Sequence, residues 1–137
     1  MHKPLKAVGP YGPTRRSAAR MLIAQAVDAT SGAFTASELA EGLASAGNGV
    51  GLATIYRALA AMEESGYVVR VGARGEAALF ARCGREGHHH HAVCTGCGAV
   101  EHVECRLDHT VGNAATGNGF TITDHEMTIF GICKACN

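Results

Sequence analysis

Residues 83–97 read CGREGHHHHAVCTGC, and no other stretch limits the fold as much. Cys94 and Cys97 have CxxC spacing, and so do Cys133 and Cys136. Two such pairs are the two arms of a tetrathiolate zinc site, in which four thiolates surround one tetrahedral ion. A shared ion would tie residue 136 back to residue 94. A disulfide framework is the weaker reading, because no secretion signal is found and the cysteines all fall within residues 83–136.

His88, His89, His90 and His91 lie just before the first CxxC. On a strand, alternate side chains face opposite ways. His88 and His90 then point to one side, and His89 and His91 to the other, so one short strand can feed two metal sites. The plainer reading is a polar loop in which histidine simply repeats. Charge is divided in the same place. Lys+Arg and Asp+Glu both number 12 overall, but nine basic and six acidic groups precede residue 83, against three and six after it. A basic front half and an acidic, thiol- and histidine-rich rear half suggest two tasks. No run of eighteen apolar residues is present to span a membrane. Six cysteines without a secretion signal fit a reducing, cytoplasmic setting and metal ligation.

Residues 1–13, with Pro4, Gly9, Pro10, Gly12 and Pro13, read as a flexible lead. Thr14 is placed to cap a helix opening with Arg15 and Arg16 and ending near Gly32, with Ala18, Met21, Leu22, Ala26 and Ala29 at helical spacing. The two arginines either meet phosphates or decorate a solvated helix end. Thr35 and Glu38 form a capping box for a second helix, whose apolar stripe holds Leu39 and Leu43. Gly47-Asn48-Gly49 ends it, and a third helix follows over residues 52–65, burying Ile55, Leu59 and Met62. Residues 67–71 and 77–81 make a hairpin around Gly72-Ala73-Arg74-Gly75. Three helices and a hairpin describe a winged helix-turn-helix. Its third helix would enter a major groove with Thr54, Tyr56 and Arg57, while Arg74 approaches a minor groove or a phosphate. Tyr56 has an alternative place, packed beneath the helix. Beyond the histidines, strands are expected at residues 91–94, 99–104, 120–123 and 126–130, with a helix over 105–115. Cys105 is expected to pack as a small apolar residue, and His102 has no assigned role.

GLATIYRAL at residues 51–59, the wing, the histidine run, CTGC and the terminal CKAC together resemble the ferric uptake regulator (Fur) family over residues 14–136. The resemblance implies an α+β protein. A winged helix-turn-helix DNA-binding domain over 14–82 is followed by a hinge and metal-binding segment at 83–91. A small α/β dimerisation domain over 92–137 then carries the CxxC/CxxC structural zinc site. It also implies a homodimer that clamps a double-stranded palindromic DNA operator when metallated, and neither an enzyme nor a binder of small organic substrates. Cys83 ahead of four histidines is most similar to the zinc uptake regulators within the family. That subgroup implies Cys83, His89 and His91 as regulatory zinc ligands. Its fourth ligand, an Asp early in the wing, falls on Val69 here, which leaves water, Glu76 or Glu104 to complete the set. An auxiliary metal site is implied at His88, His90, His109 and His125, with His109 where the subgroup has glutamate. The expected function is zinc-dependent repression of zinc-uptake genes, with one structural and one or two regulatory Zn2+ per subunit. Iron, nickel or peroxide sensing within the family, or a zinc-stabilised interaction module without DNA binding, are the alternatives.

Overall fold

The computed structural model describes residues 9–12, 17–107, 117 and 119–137. Three helices come first: α1 (Ala18–Ala29), α2 (Ala36–Ser45) and α3 (Leu52–Ser65). The cap of α1 is Ser17, whose hydroxyl accepts from the Arg20 amide, and not Thr14. Thr14, Arg15 and Arg16 lie outside the described residues. Thr35 caps α2 by accepting from the Glu38 amide, as its sequence predicts. Each helix buries one stripe. Ile23 and Val27 meet Leu39 and Leu43 and the fully buried Ile55, Leu59 and Met62 in one core. Each of these large side chains contributes on the order of 1.5–3 kcal/mol by leaving water.

The supposed flexible lead is pinned at residues 9–12, which form a turn. Tyr11 is buried in the helical core, the Arg20 guanidinium lies over its ring, and the Ser65 hydroxyl donates to the Pro10 carbonyl. An aromatic side chain of this size gains more from burial than from remaining in a solvated lead.

The hairpin pairs β1 (Val68–Arg74) with β2 (Ala77–Arg82) in antiparallel register, broken by a bulge between Arg70 and Gly72. Phe34 adds an isolated antiparallel bridge to Phe80, so the hairpin is anchored on the α1–α2 linker. This is the expected winged helix-turn-helix arrangement. A second sheet has the order β4-β3-β5, where β3 is His89–Cys94, β4 is Val100–Glu104 and β5 is Thr128–Gly131. β4 runs antiparallel to β3, and β5 runs parallel to it. Residues 120–123 do not form the expected strand and pair with no strand among the described residues. The helix expected from Cys105 is not begun by residues 105–107, and residues 108–116 lie outside the described residues.

Two close approaches join the helical half to the second sheet. The Ala33 amide donates to the Gly98 carbonyl at 2.8 Å, beside the Cys94–Cys97 turn. Gly72, at φ +117°, lets the Phe130 ring lie against β1, where a Cβ would stand 2.6 Å from the ring. A small apolar cluster of Val71, Leu79, Ala81 and Val93 fills the space between hairpin and sheet.

Candidate metal centre

Among the described residues, three tetrads of metal-ligating side chains form, each with its donor atoms within 4.8 Å of one another. They are Cys94, Cys97, Cys133 and Cys136; Cys83, His89, His91 and His102; and His88, His90, Cys105 and His125. A tetrahedral ion with nitrogen at about 2.0 Å and sulfur at about 2.3 Å spaces its donors by about 3.3 Å (N to N), about 3.5 Å (S to N) and about 3.8 Å (S to S).

The four cysteines meet that expectation. Cys97 and Cys133 sulfurs are 3.6 Å apart, far beyond an S–S bond of about 2.05 Å, and all four thiols are free. The chain builds this knuckle from two turns. The Gly96 and Cys133 amides each donate to the Cys94 sulfur at 3.3 Å, and the Thr95 amide donates to the Gly131 carbonyl at 2.8 Å. Amide donation, chiefly from Cys133, brings the Cys94 thiol down to about 6, so it is a ready thiolate at neutral pH. Cys136 is pushed up to about 12 by sharing its proton first with Cys133 and then with Cys97 and Cys94. A cation replacing that proton satisfies every sulfur at once, so the donor set fits a structural zinc.

The second tetrad joins the end of the hairpin to the second sheet. Cys83 directly follows β2, His89 and His91 share one face of β3, and His102 stands on β4 directly across from His91. Cys83 sulfur is 3.3 Å from His89 Nε2 and 3.5 Å from His102 Nε2, the sulfur-to-nitrogen spacing of a tetrahedral set. His89 Nδ1 donates to the Gly87 carbonyl at 2.9 Å, which fixes the tautomer and leaves Nε2 to face the sulfur. Burial, then the neighbouring His89 and Arg85, lowers the His102 pKa. Cys83, His89 and His91 are buried, and His102 forms the exposed lip.

His102 therefore takes the place expected of Glu76 or Glu104. Glu76 lies in the hairpin turn, at the other end of β2 from Cys83, roughly 20 Å away along an extended strand. Glu104 is exposed and faces Arg85 at 3.9 Å. Val69, which packs beside the hairpin cluster, offers no ligand.

The third tetrad occupies the opposite face of β3. His125 Nε2 is 3.1 Å from both His88 Nε2 and His90 Nε2, and 3.0 Å from the Cys105 sulfur. Cys105 is half-buried and turned toward these rings, not packed as an apolar residue. His109 lies outside the described residues.

On α3, Tyr56 and Arg57 are exposed, and the Arg57 guanidinium donates to the Thr54 hydroxyl at 3.1 Å. Tyr56 thus takes the outward one of its two expected places. Arg74 closes β1, and its guanidinium pairs with Glu38 on α2.

The model of the ferric uptake regulator family matches residues 13–130. The chain belongs to that family. It is accordingly a metal-responsive transcription regulator of the Fur type, whose members are dimeric DNA-binding regulators and not enzymes. Similar proteins include the ferric uptake regulation protein of Legionella pneumophila, 37% identical over 75% of this chain and 76% of the relative. The zinc uptake regulation protein of Mycobacterium tuberculosis is 33% identical over 74% of this chain and 78% of the relative. Among solved structures, a zinc uptake regulator complexed with zinc and DNA aligns with a TM-score of 0.67 at 25% identity, covering 90% of this chain and 83% of that one. No helix among the described residues is long and apolar enough to cross a membrane.

Proposed function

We propose that the protein is a zinc-responsive dimeric repressor of zinc-uptake genes, working in the cytoplasm on a palindromic operator. The observation that carries this reading is the tetrad of Cys83, His89, His91 and His102, which spans the junction between hairpin and second sheet. One thiolate and three imidazoles, without a carboxylate, suit zinc over iron(II) or manganese(II). Zinc would supply the single cation that all four donors can share. Drawing these side chains to one point fixes the wing, and with it α3, relative to β3 and β4. Two protomers so fixed present their α3 helices to successive major grooves, with Thr54, Tyr56 and Arg57 facing the bases.

The division of labour follows from this reading. Residues 17–82 form the DNA-binding domain, and the second sheet forms the dimerisation domain. Among the described residues β5 is an edge strand that exposes Ile129 and Phe130, with Ile132 just beyond it, a surface suited to a second copy. The cysteine tetrad holds the structural zinc. Linkage makes the effect reciprocal, so operator DNA tightens zinc binding by the factor by which zinc tightens operator binding.

The test is operator binding against buffered free zinc, run beside iron, nickel and manganese, for wild type and Cys83→Ser. The variant should retain the structural zinc and the dimer but lose the response at limiting zinc, because a hydroxyl is a poor zinc ligand. A wild-type zinc response in Cys83→Ser would remove the hinge tetrad from the regulatory role. A response of the wild type to iron alone would favour the ferric reading, which the Legionella pneumophila relative supports.

A further inference from the structure

The surroundings of His125 are not those of an ordinary hydrogen-bond network. Its Nε2 has His88 Nε2, His90 Nε2 and the Cys105 sulfur all at 3.0–3.1 Å. One imidazole nitrogen offers a single in-plane lone pair or a single N–H, so it serves one such neighbour and not three. A cation among the four atoms serves all of them. The strand register explains how Cys105 arrives there. β3 and β4 pair from Val93 with Val100 to His89 with Glu104. One step further brings Cys105 opposite His88, on the face that carries His88 and His90 and away from the face of His89, His91 and His102.

We propose that Cys105 is the thiolate ligand of a second His3Cys site, formed with His88, His90 and His125. This extends the zinc reading above but concerns a different set of side chains. The two faces of β3 then carry chemically matched sites. Among the described residues each has one sulfur and three imidazole nitrogens, and neither includes a carboxylate. Four imidazoles, or three with a carboxylate, would leave the site open to harder ions. The thiolate adds a soft donor and one negative charge, which narrows the site toward zinc and its cobalt(II) surrogate. Cys105 thereby sets the metal preference of this face.

The experiment uses the full-length dimer. Wild type should bind three zinc ions per protomer, one for each tetrad, and Cys105→Ser should bind two. After cobalt(II) substitution, Cys105→Ser and Cys83→Ser should each lose one thiolate's share of the near-ultraviolet sulfur-to-cobalt charge-transfer band, and the double variant should lose both. Cys105→Asp should regain the third ion with a relative gain in manganese(II) affinity. Alkylation of the wild type followed by peptide mass analysis guards against a variant that misfolds. Cys105 should be protected when three zinc ions are bound and modified when only two remain. A full zinc count with an unchanged charge-transfer band in Cys105→Ser, or an unprotected Cys105 at three zinc ions, overturns the proposal. Neither outcome touches the hinge tetrad, which is tested separately by Cys83→Ser and the zinc response of operator binding.

Discussion

Gly32→Ala tests whether the knuckle is docked on the DNA-binding half in the operator-bound form. A Cβ at residue 32 would stand 2.3 Å from the Gly98 carbonyl oxygen and 2.9 Å from its carbon, both backbone atoms that cannot swing aside. The substitution therefore pushes the α1–α2 linker away from the knuckle and breaks the 2.8 Å hydrogen bond from Ala33 to Gly98. Gly98 is buried, so its carbonyl loses its partner without gaining full access to water. Leaving such a group unsatisfied costs about 1–3 kcal/mol. Replacing glycine by alanine also reduces unfolded-chain entropy, which offsets about 0.4–1 kcal/mol in the folding equilibrium. That gain does not apply to docking, where both states are folded. A docking loss of about 2 kcal/mol shifts the docked-to-undocked ratio about 30-fold per protomer. The assay is operator affinity at saturating zinc, with zinc content measured on the same samples. Affinity should fall by up to this factor at an unchanged zinc count, because no ligand is altered. Gly42→Ala is the matched control. It lies within α2 with nothing within 4 Å of the added Cβ, so it should raise the melting temperature and leave affinity alone. Wild-type operator affinity in Gly32→Ala would refute the view that knuckle docking favours DNA binding.

Cys94→Ser should lower the zinc count and abolish stable dimerisation, since binding free energy at a tetrathiolate site is folding free energy; Cys105→Ser should leave the dimer intact, and sedimentation with metal analysis distinguishes the two. Glu38→Gln should release Arg74 from its ion pair and strengthen operator binding at low salt, steepening the slope of log affinity against log salt by about one if the freed guanidinium meets a phosphate. Arg57→Ala should weaken specific binding at unchanged zinc content, costing about 1–3 kcal/mol if the guanidinium contacts a base edge. The chelated, reduced protein should melt at higher temperature as pH rises from 6 toward 9. Cys94, at about 6 in the fold against 9.0 as its ordinary value, contributes stability that is complete above 9 and lost on the way down to 6. His102, lowered from 6.5, adds the same sign below that value, whereas Cys136, raised to about 12, withdraws stability only above 9. Melting curves flat in pH would refute this assignment.

What was legible in the sequence was local. Apolar spacing and the Thr35–Glu38 signal were sufficient for α2, and the burial of Ile55, Leu59 and Met62 follows directly from helical period. The CxxC pairs also announce themselves, because each pair fits a single turn. Errors arose at a helix start and where pairing at a distance decided. The sequence reading puts the α1 cap at Thr14, three residues before the Ser17 cap that the structure shows. Residues 120–123 carry β-forming side chains, yet a strand exists only with a partner, and they pair with no strand among the described residues. The ligand sets show the same limit. Alternation along β3 places His89 and His91 in one side-chain cluster and His88 and His90 in the other. The remaining donors depend on register across a turn, which fixes one residue opposite another and is not expressed in any short motif.

That register also resolves the apparent gap at Val69. The strand leaving the CTGC turn runs antiparallel to β3 in the register that sets residue 102 opposite residue 91, and the residue there is histidine. The fourth side chain of this tetrad thus lies on the second sheet and not on the wing. The change alters how the hinge closes. With a ligand on β1, the hairpin would contribute two anchors. With His102 on β4, three of the four donors belong to the second sheet, and Cys83 is the only one from the hairpin side. A partly assembled site of three imidazoles can then exist without fixing the wing. Under the proposed function, a bond to Cys83 would be the metal link that couples occupancy to the position of the hairpin and α3. His102→Ala should therefore weaken zinc binding while leaving the response of whatever zinc remains bound. Cys83→Ser should leave some zinc bound at the imidazoles but uncouple it from the operator. Measuring zinc affinity and operator affinity in the same buffers separates the two variants, and identical uncoupling in both would refute this asymmetry.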